Sequence, residues 1–302
     1  MFFSARYKAI LALIIANVLW GFASPVFKLA LQNLPPFTLA YLRFFGAALL
    51  LLPFAINKLK VHRKDWGNLL LLSFFGITVN ITFFFLGLER APSINAPIIA
   101  SSAPVFLYLS SILFLKEKPK RKVLIGIILS LLGILVIVGQ PLIETGMDGN
   151  LLGNFYFVLA TIGAVGHAIF SKKIMDKYSA VTITFWSFLL SSFTFLPQYL
   201  YEMVKYQPFN ALDYKGIIGL VYGIVFSSAL AYFLFEWGIQ KIQAQEVGLF
   251  TYIDPIAAIL LAVPLLGETV TPVYLIGALL VFGGIFLAEG RLHWHPILKL
   301  RK

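Results

Sequence analysis

The sequence predicts an all-α membrane protein of ten transmembrane helices, arranged as two inverted five-helix repeats. Its hydropathy, its segregation of positive charge and an internal repeat carry that expectation. Sixty per cent of the 302 residues are hydrophobic and 12% are charged, against roughly a quarter charged in a soluble domain. Too few polar side chains remain to coat a water-soluble particle. Ala9 to Phe27, Trp66 to Leu88, Ala91 to Leu115, Val123 to Ile143, Gly149 to Ser171, Tyr178 to Tyr201, Gly216 to Phe235 and Thr269 to Ala288 hold no Asp, Glu, Lys or Arg. Each reaches the roughly 18–20 residues that cross about 30 Å of hydrocarbon as a helix. Two further spans, near 36–56 and 246–266, are interrupted by Arg43 and Asp254.

The net charge of +11 does not point to nucleic acid, because the cations sit in short loops between spans. With the amino terminus inside, the inner loops hold 19 of the 24 Lys and Arg residues. The outer loops hold Arg90, Lys205 and Lys215, while Lys28 and Arg43 fall within spans. The positive-inside rule then puts both termini in the cytoplasm and the chain in the plasma (inner) membrane. Arg6 and Lys8 followed by an apolar run resemble a signal peptide, but the run is too long and has a counterpart in mid-chain. There is no cysteine, which excludes disulfides, thiol catalysis and thiolate metal sites.

The halves repeat. At a spacing of 144, Lys28 falls on Lys172, Thr38 on Thr182 and Pro53 on Pro197; at 151, Gly87 falls on Gly238, Pro104 on Pro255, Glu117 on Glu268, Gly126 on Gly277 and Gly133 on Gly284. Four of the seven extra residues enter the third helix of the second half, between Gly223 and Gly238. The expected repeats are 1–139 and 152–290, followed by a basic cytoplasmic tail, 291–302. An odd number of spans per half turns the second upside down relative to the first. Inverted repeats suit secondary transport, since near-equivalent halves exchange conformations around a midplane site.

The chain also resembles the EamA-type members of the drug/metabolite transporter superfamily over about Ala9 to Glu289. The resemblance rests on Leu19-Trp20-Gly21 with Lys28 in the first helix. It rests also on "LFLKEKPKRKVLIGIILSLLGILVIVG" and its second copy "PLLGETVTPVYLIGALLVFGGIFLAEG". It implies secondary transport, often efflux, of metabolites such as amino acids. Trp20 is matched by Ala164 and Arg43 by Ser187, so those positions are not symmetric functional elements.

The polar residues inside spans are the candidate site. Asp254 lies roughly 13 Å deep at 1.5 Å per residue. A carboxylate at that depth faces a partner or a water-filled cavity and favours its neutral form, so it is a candidate for proton coupling. Asp254-Pro255 also reads as an N-cap followed by proline at the first helical position. The matching break in the first half is Ser101-Ser102-Ala103-Pro104, whose hydroxyls line a cavity or relieve a proline kink. His167 and Glu236 lie at similar depth, and a pair there would titrate near neutrality and join the coupling candidates. The plainer alternative is an interfacial histidine and a snorkelling glutamate. Lys28 and Arg43 would attract an anion, or snorkel to headgroups. Asn17, Trp20, Asn80, Tyr232 and Tyr252 complete the candidate cavity wall, with helix–helix hydrogen bonding as the alternative. Glu117 and Glu268 read as caps of the helices that follow them. The Gly126/Gly133 and Gly277/Gly284 pairs and Gly219-x-x-x-Gly223 suit close helix packing.

The sequence lacks a nucleophile–base motif, a metal-ligand cluster, a phosphate loop and an ATP-binding domain, so neither an enzyme nor a metal or other cofactor is expected. The expected partners are a small-molecule substrate and the lipid bilayer, with a second copy of the chain as a further candidate. The expected function is secondary-active transport of a small polar metabolite by alternating access. The alternative is translocation of a lipid-linked substrate, which needs a lateral opening lined by basic residues.

Overall fold

The computed structural model describes residues 5–106, 121–144, 150–171, 173–241 and 250–289. Glu117, Lys172 and the tail 291–302 lie outside them. Among the described residues there is no strand. In chain order the helices are α1 (Ala5–Ala30), α2 (Pro36–Ala55), α3 (Arg63–Leu88), α4 (Asn95–Ala100) and α5 (Arg121–Glu144). There follow α6 (Asn150–Ser171), α7 (Ala180–Tyr206), α8 (Tyr214–Ile239), α9 (Ile253–Leu266) and α10 (Pro272–Glu289). Seven described stretches are long and apolar enough to cross a membrane, from α1 to α3 and α5 to α8; Phe250–Leu266 and Pro272–Leu287 are shorter apolar helices.

Local chemistry sets several boundaries. Proline at the first position opens α2, where its missing N–H is not needed. The Ser179 hydroxyl accepts from the Thr182 amide to start α7, and the Asp213 carboxylate accepts from Lys215 and Gly216 amides to start α8. Gly267, with φ of 67°, closes α9 in the left-handed conformation.

Helices matched by the repeat pack on one another in opposite directions. Between α2 and α7, Glu202 accepts from the Thr38 amide at 2.6 Å, Tyr41 stacks on Tyr199 at 4.3 Å, and Thr182 Oγ1 donates to the Lys58 carbonyl at 3.0 Å. Residue numbers rise on α2 as they fall on α7. Between α5 and α10, a Cβ on Gly133 would meet the Gly277 carbonyl at 2.7 Å, while one on Gly284 would meet the Gly126 carbonyl at 2.5 Å. The glycine pairs are therefore where two antiparallel backbones touch, as small residues at membrane helix contacts permit. A two-fold axis along the helices would have left such pairs parallel; antiparallel pairs require an axis across them. The first helices obey the same exchange, α1 packing on α8 and α9 as α6 packs on α3 and α4.

Two irregularities recur at matched places. The third helix of each half contains a π-helical stretch, Phe74–Val79 in α3 and Tyr222–Leu230 in α8. The longer one lies where the second half carries its inserted residues. The fourth helix of the first half is interrupted just before Pro104, and the described part of its counterpart opens with a 3-10 turn just before Pro255. α4 ends at Ala100 and turns at Ser101–Ser102, while a 3-10 turn, Phe250–Tyr252, leads into α9. The two turns touch, with Ser101 Oγ 3.4 Å from the Thr251 carbonyl.

Candidate substrate site

The site is built outward from Trp20 and Gly21. A Cβ on Gly21 would lie 2.5 Å from the Asp254 carbonyl and 2.6 Å from Ala257 Cβ, so α1 meets the α9 backbone there. That contact turns the neighbouring Trp20 toward α8. Its indole N–H donates to the Ser227 carbonyl at 3.1 Å, inside the π-helical stretch. Its ring meets Tyr232 edge-on at 5.1 Å and Phe235 at 4.9 Å. Tyr232 in turn packs edge-on against Phe188 at 5.2 Å and His167 at 6.2 Å. Wide π turns often mark functional sites, and here one offers a main-chain carbonyl to a side chain of another helix.

Arg43 enters the same place from α2. It is 2% exposed, so it does not snorkel. Its Nε donates to the Ser228 hydroxyl at 2.7 Å and its Nη2 to the Ser227 hydroxyl at 3.0 Å. The rings of Phe27 and Phe44 each lie 4.6 Å from its guanidinium carbon. Nη1 has no hydrogen-bond partner among the described residues.

His167 and Glu236 do meet. Nε2 lies 3.1 Å from a Glu236 oxygen, and the Ser171 hydroxyl donates to the other oxygen at 3.4 Å. Glu236 is 1% exposed, so the snorkelling alternative is corrected. The ring fits because position 76 is glycine: a Cβ there would overlap the imidazole. A carboxylate this deep needs its partners, and α6 supplies both.

The remaining candidates fall into two groups. At the α4/α9 break, Ser101 Oγ donates to the Pro97 carbonyl at 2.8 Å, Ser102 Oγ donates to the Ile99 carbonyl, and the Tyr252 ring meets Phe282 at 5.3 Å. Asp254 Oδ1 is buried without a partner among the described residues. Its capping role is corrected: the N-cap is Tyr252 and Asp254 belongs to the first turn. The preceding 3-10 turn starts the helix early, leaving Pro255 third in it, where an N–H is not yet needed. Away from this centre, Asn80 Nδ2 donates across to the Ala160 carbonyl at 2.7 Å, and Asn17 Nδ2 donates to Leu13 within its own helix at 2.7 Å.

Lys28 lies at the end of α1 remote from His167. It donates to the Ala91 carbonyl and sits 3.5 Å from Glu268. Glu268 accepts from the Ser93 and Ile94 amides at 2.7 and 3.0 Å, so it caps the entry to α4 and not the helix that follows it. Thr271 takes that second role, accepting from the Tyr274 amide at 3.2 Å. A carboxylate goes to whichever free helix N-terminus is near in space, and sequence order does not say which that is.

Sequence reasoning missed Ser227, Ser228, Ser171 and Phe188. The first two had a signal, the residues inserted between Gly223 and Gly238, which are where the π-helical stretch forms.

The EamA-like transporter family profile matches the chain twice, over residues 7–139 and 151–289. An uncharacterized transporter of Bacillus subtilis, YetK, is 31% identical over 92% of this chain and 86% of its own length. A "Probable amino-acid metabolite efflux pump" of Salmonella typhimurium is 28% identical over 94% of this chain and 95% of its own. A solved crystal structure superposes with a TM-score of 0.64 at 18% identity, covering 96% of this chain and all of that one; at that identity the likeness speaks for the fold. The double match, spanning both antiparallel sets of helices, shows that this chain belongs to the EamA-like transporter family.

Proposed function

We propose that this chain is a secondary-active exporter of a small polar metabolite such as an amino acid. It works by alternating access, with ten spans in two inverted halves, 1–139 and 152–290. Both termini, with the basic tail 291–302, face the cytoplasm of the inner membrane. The observation that carries the reading is the contact between the turns that precede Pro104 and Pro255, Ser101 against Thr251, in a bundle whose matched helices run antiparallel. Broken helices between inverted repeats are where transporters bind substrate. The printed names of the efflux-pump relatives support the amino-acid class. For a lipid-linked substrate, a lateral opening lined by cations is needed; Lys28 and Arg43 are instead engaged inside the bundle.

Coupling to protons is assigned to His167 and Glu236. The support is geometric: the imidazole and the carboxylate touch inside the bundle, so a proton can be held between them. Asp254 is the second candidate. The test is uptake of an amino-acid panel into proteoliposomes with and without a pH gradient. Substrate-specific accumulation that collapses with the gradient is the expected result; leak proportional to lipid solubility would remove the transport reading.

A further inference from the structure

We propose that Arg43 is the anion-binding subsite of this transporter and that its substrates carry a carboxylate. The proposal rests on the transport reading and narrows the substrate class. Arg43 lies seven residues into α2, about 10 Å along the helix, on a face covered by α1 and the π-helical stretch of α8. One edge of its guanidinium, Nε and Nη2, is filled by the Ser228 and Ser227 hydroxyls. The faces of Phe27 and Phe44 lie against it as cation–π neighbours that offer no hydrogen-bond acceptor. Nη1 is buried and unpartnered among the described residues. No described carboxylate pairs with it; the titratable groups that face it are the phenols of Tyr222 and Tyr232, and the Tyr222 hydroxyl is committed to the Leu19 carbonyl at 2.6 Å.

A cation so placed is a poor structural tie. Taking a charge out of water costs several kcal/mol even after relaxation; two neutral serine hydroxyls and two ring faces offset part of it, and no described anion supplies the rest. A glutamine or a methionine would join α2 to α8 without that cost. Ionisable groups inside membrane spans mark substrate or ion pathways. An arginine already stripped of water is pre-organised for an anion, because its desolvation was incurred on folding and not on binding. The free Nη1 edge gives a carboxylate oxygen charge-assisted N–H donors.

Ser227 joins this subsite to the aromatic one. Its hydroxyl accepts from Arg43 and its carbonyl accepts from Trp20. A substrate with its carboxylate on Arg43 would therefore lay its organic part toward Trp20 and Tyr232. The half that lacks Arg43 also lacks Trp20, with Ser187 and Ala164 at the matched positions, so the two features occur together or not at all.

The test uses the purified full-length protein in detergent. Each standard amino acid, its carboxamide and its decarboxylated amine are compared by thermal shift and tryptophan fluorescence. At least one acid should stabilise the protein, with its amide and amine binding about 10- to 100-fold more weakly, the worth of a charge-assisted hydrogen bond. Arg43→Gln should erase that preference, and Arg43→Lys, which keeps the charge without the fork, should retain part of it. Equal binding of acid and amide, no binding by any acid, or undiminished acid preference in Arg43→Gln overturns the proposal. If Arg43→Gln does not fold, the wild-type comparison and Arg43→Lys decide. Proteoliposome flux separates this from the transport reading. Transport of amines or amides but not acids removes the Arg43 subsite alone. Acids that bind but never cross remove the transport reading and leave the subsite standing.

Discussion

At the α1–α8 interface Trp20 stands against a π-helical stretch and donates to its Ser227 carbonyl, and Arg43 reaches the same serine from α2. At the matched α6–α3 interface the equivalents of Trp20 and Arg43 are Ala164 and Ser187. There α6 lies flush on α3: a Cβ on Gly163 would be 2.8 Å from the Asn80 amide nitrogen, and one on Gly166 would be 2.6 Å from Phe75 Cβ. The bond between helices also runs the other way, from Asn80 on α3 to the Ala160 carbonyl on α6. The two interfaces share a backbone plan, yet one is filled by an indole and a guanidinium and the other by backbone contact. The repeat supplies a frame, and the departures from it supply recognition. His167 and Glu236 belong to neither copy of the plan alone, because they join α6 of one half-interface to α8 of the other.

The sharpest way to break this contrast is to give the flush interface a side chain. Gly163→Leu places branched carbon against the α3 backbone, where nothing flexible can move aside. Overpacking costs about 1–3 kcal/mol and sometimes more, so the variant should lose most folded protein, read by size exclusion and melting temperature. A wild-type melting temperature would show that α6 and α3 do not pack as described.

Trp20→Ala attacks the other interface and should act on transport more than on folding. Losing the indole contacts and one hydrogen bond is worth about 1–3 kcal/mol, a 10- to 100-fold loss in apparent affinity. Trp20→Phe, which keeps a ring without the N–H, should lose less. Equal loss in both variants would mean that the bond to Ser227, and not the aromatic surface, is what matters.

Glu236→Gln removes a proton-binding carboxylate beside His167 and should strongly lower gradient-driven accumulation while substrate exchange continues. Uptake by the wild type should depend on the pH gradient more steeply than uptake by the variant. Exchange and accumulation falling together would turn the pair into a packing element.

Asp254→Asn is expected to have the smallest effect, less than about threefold in accumulation, since the amide keeps the shape and, on the assignment of coupling to His167 and Glu236, the proton is carried elsewhere. Abolished accumulation with intact exchange would move the coupling site from the His167–Glu236 pair to Asp254.

What the sequence determined by itself was the frame. Long uncharged stretches dictate helices, because a backbone in hydrocarbon must satisfy its own hydrogen bonds. The glycine pairs at 126/133 and 277/284 marked close helix packing, and the insertion after Gly223 marked a longer third helix; that the first meant α5 against α10 and the second a π-helical stretch came from the structure. Arg43, His167, Glu236 and Trp20 were legible as candidates because polar residues are expensive in a span. Only the tertiary structure decided their partners. Whether Glu236 snorkels or meets His167, whether Glu268 caps α10 or the entry to α4, and which hydroxyls hold Arg43 all depend on residues 69 to 185 positions apart, brought together by helix packing. Periodicity reports which face of a helix is polar; it carries no information on which other helix that face will meet.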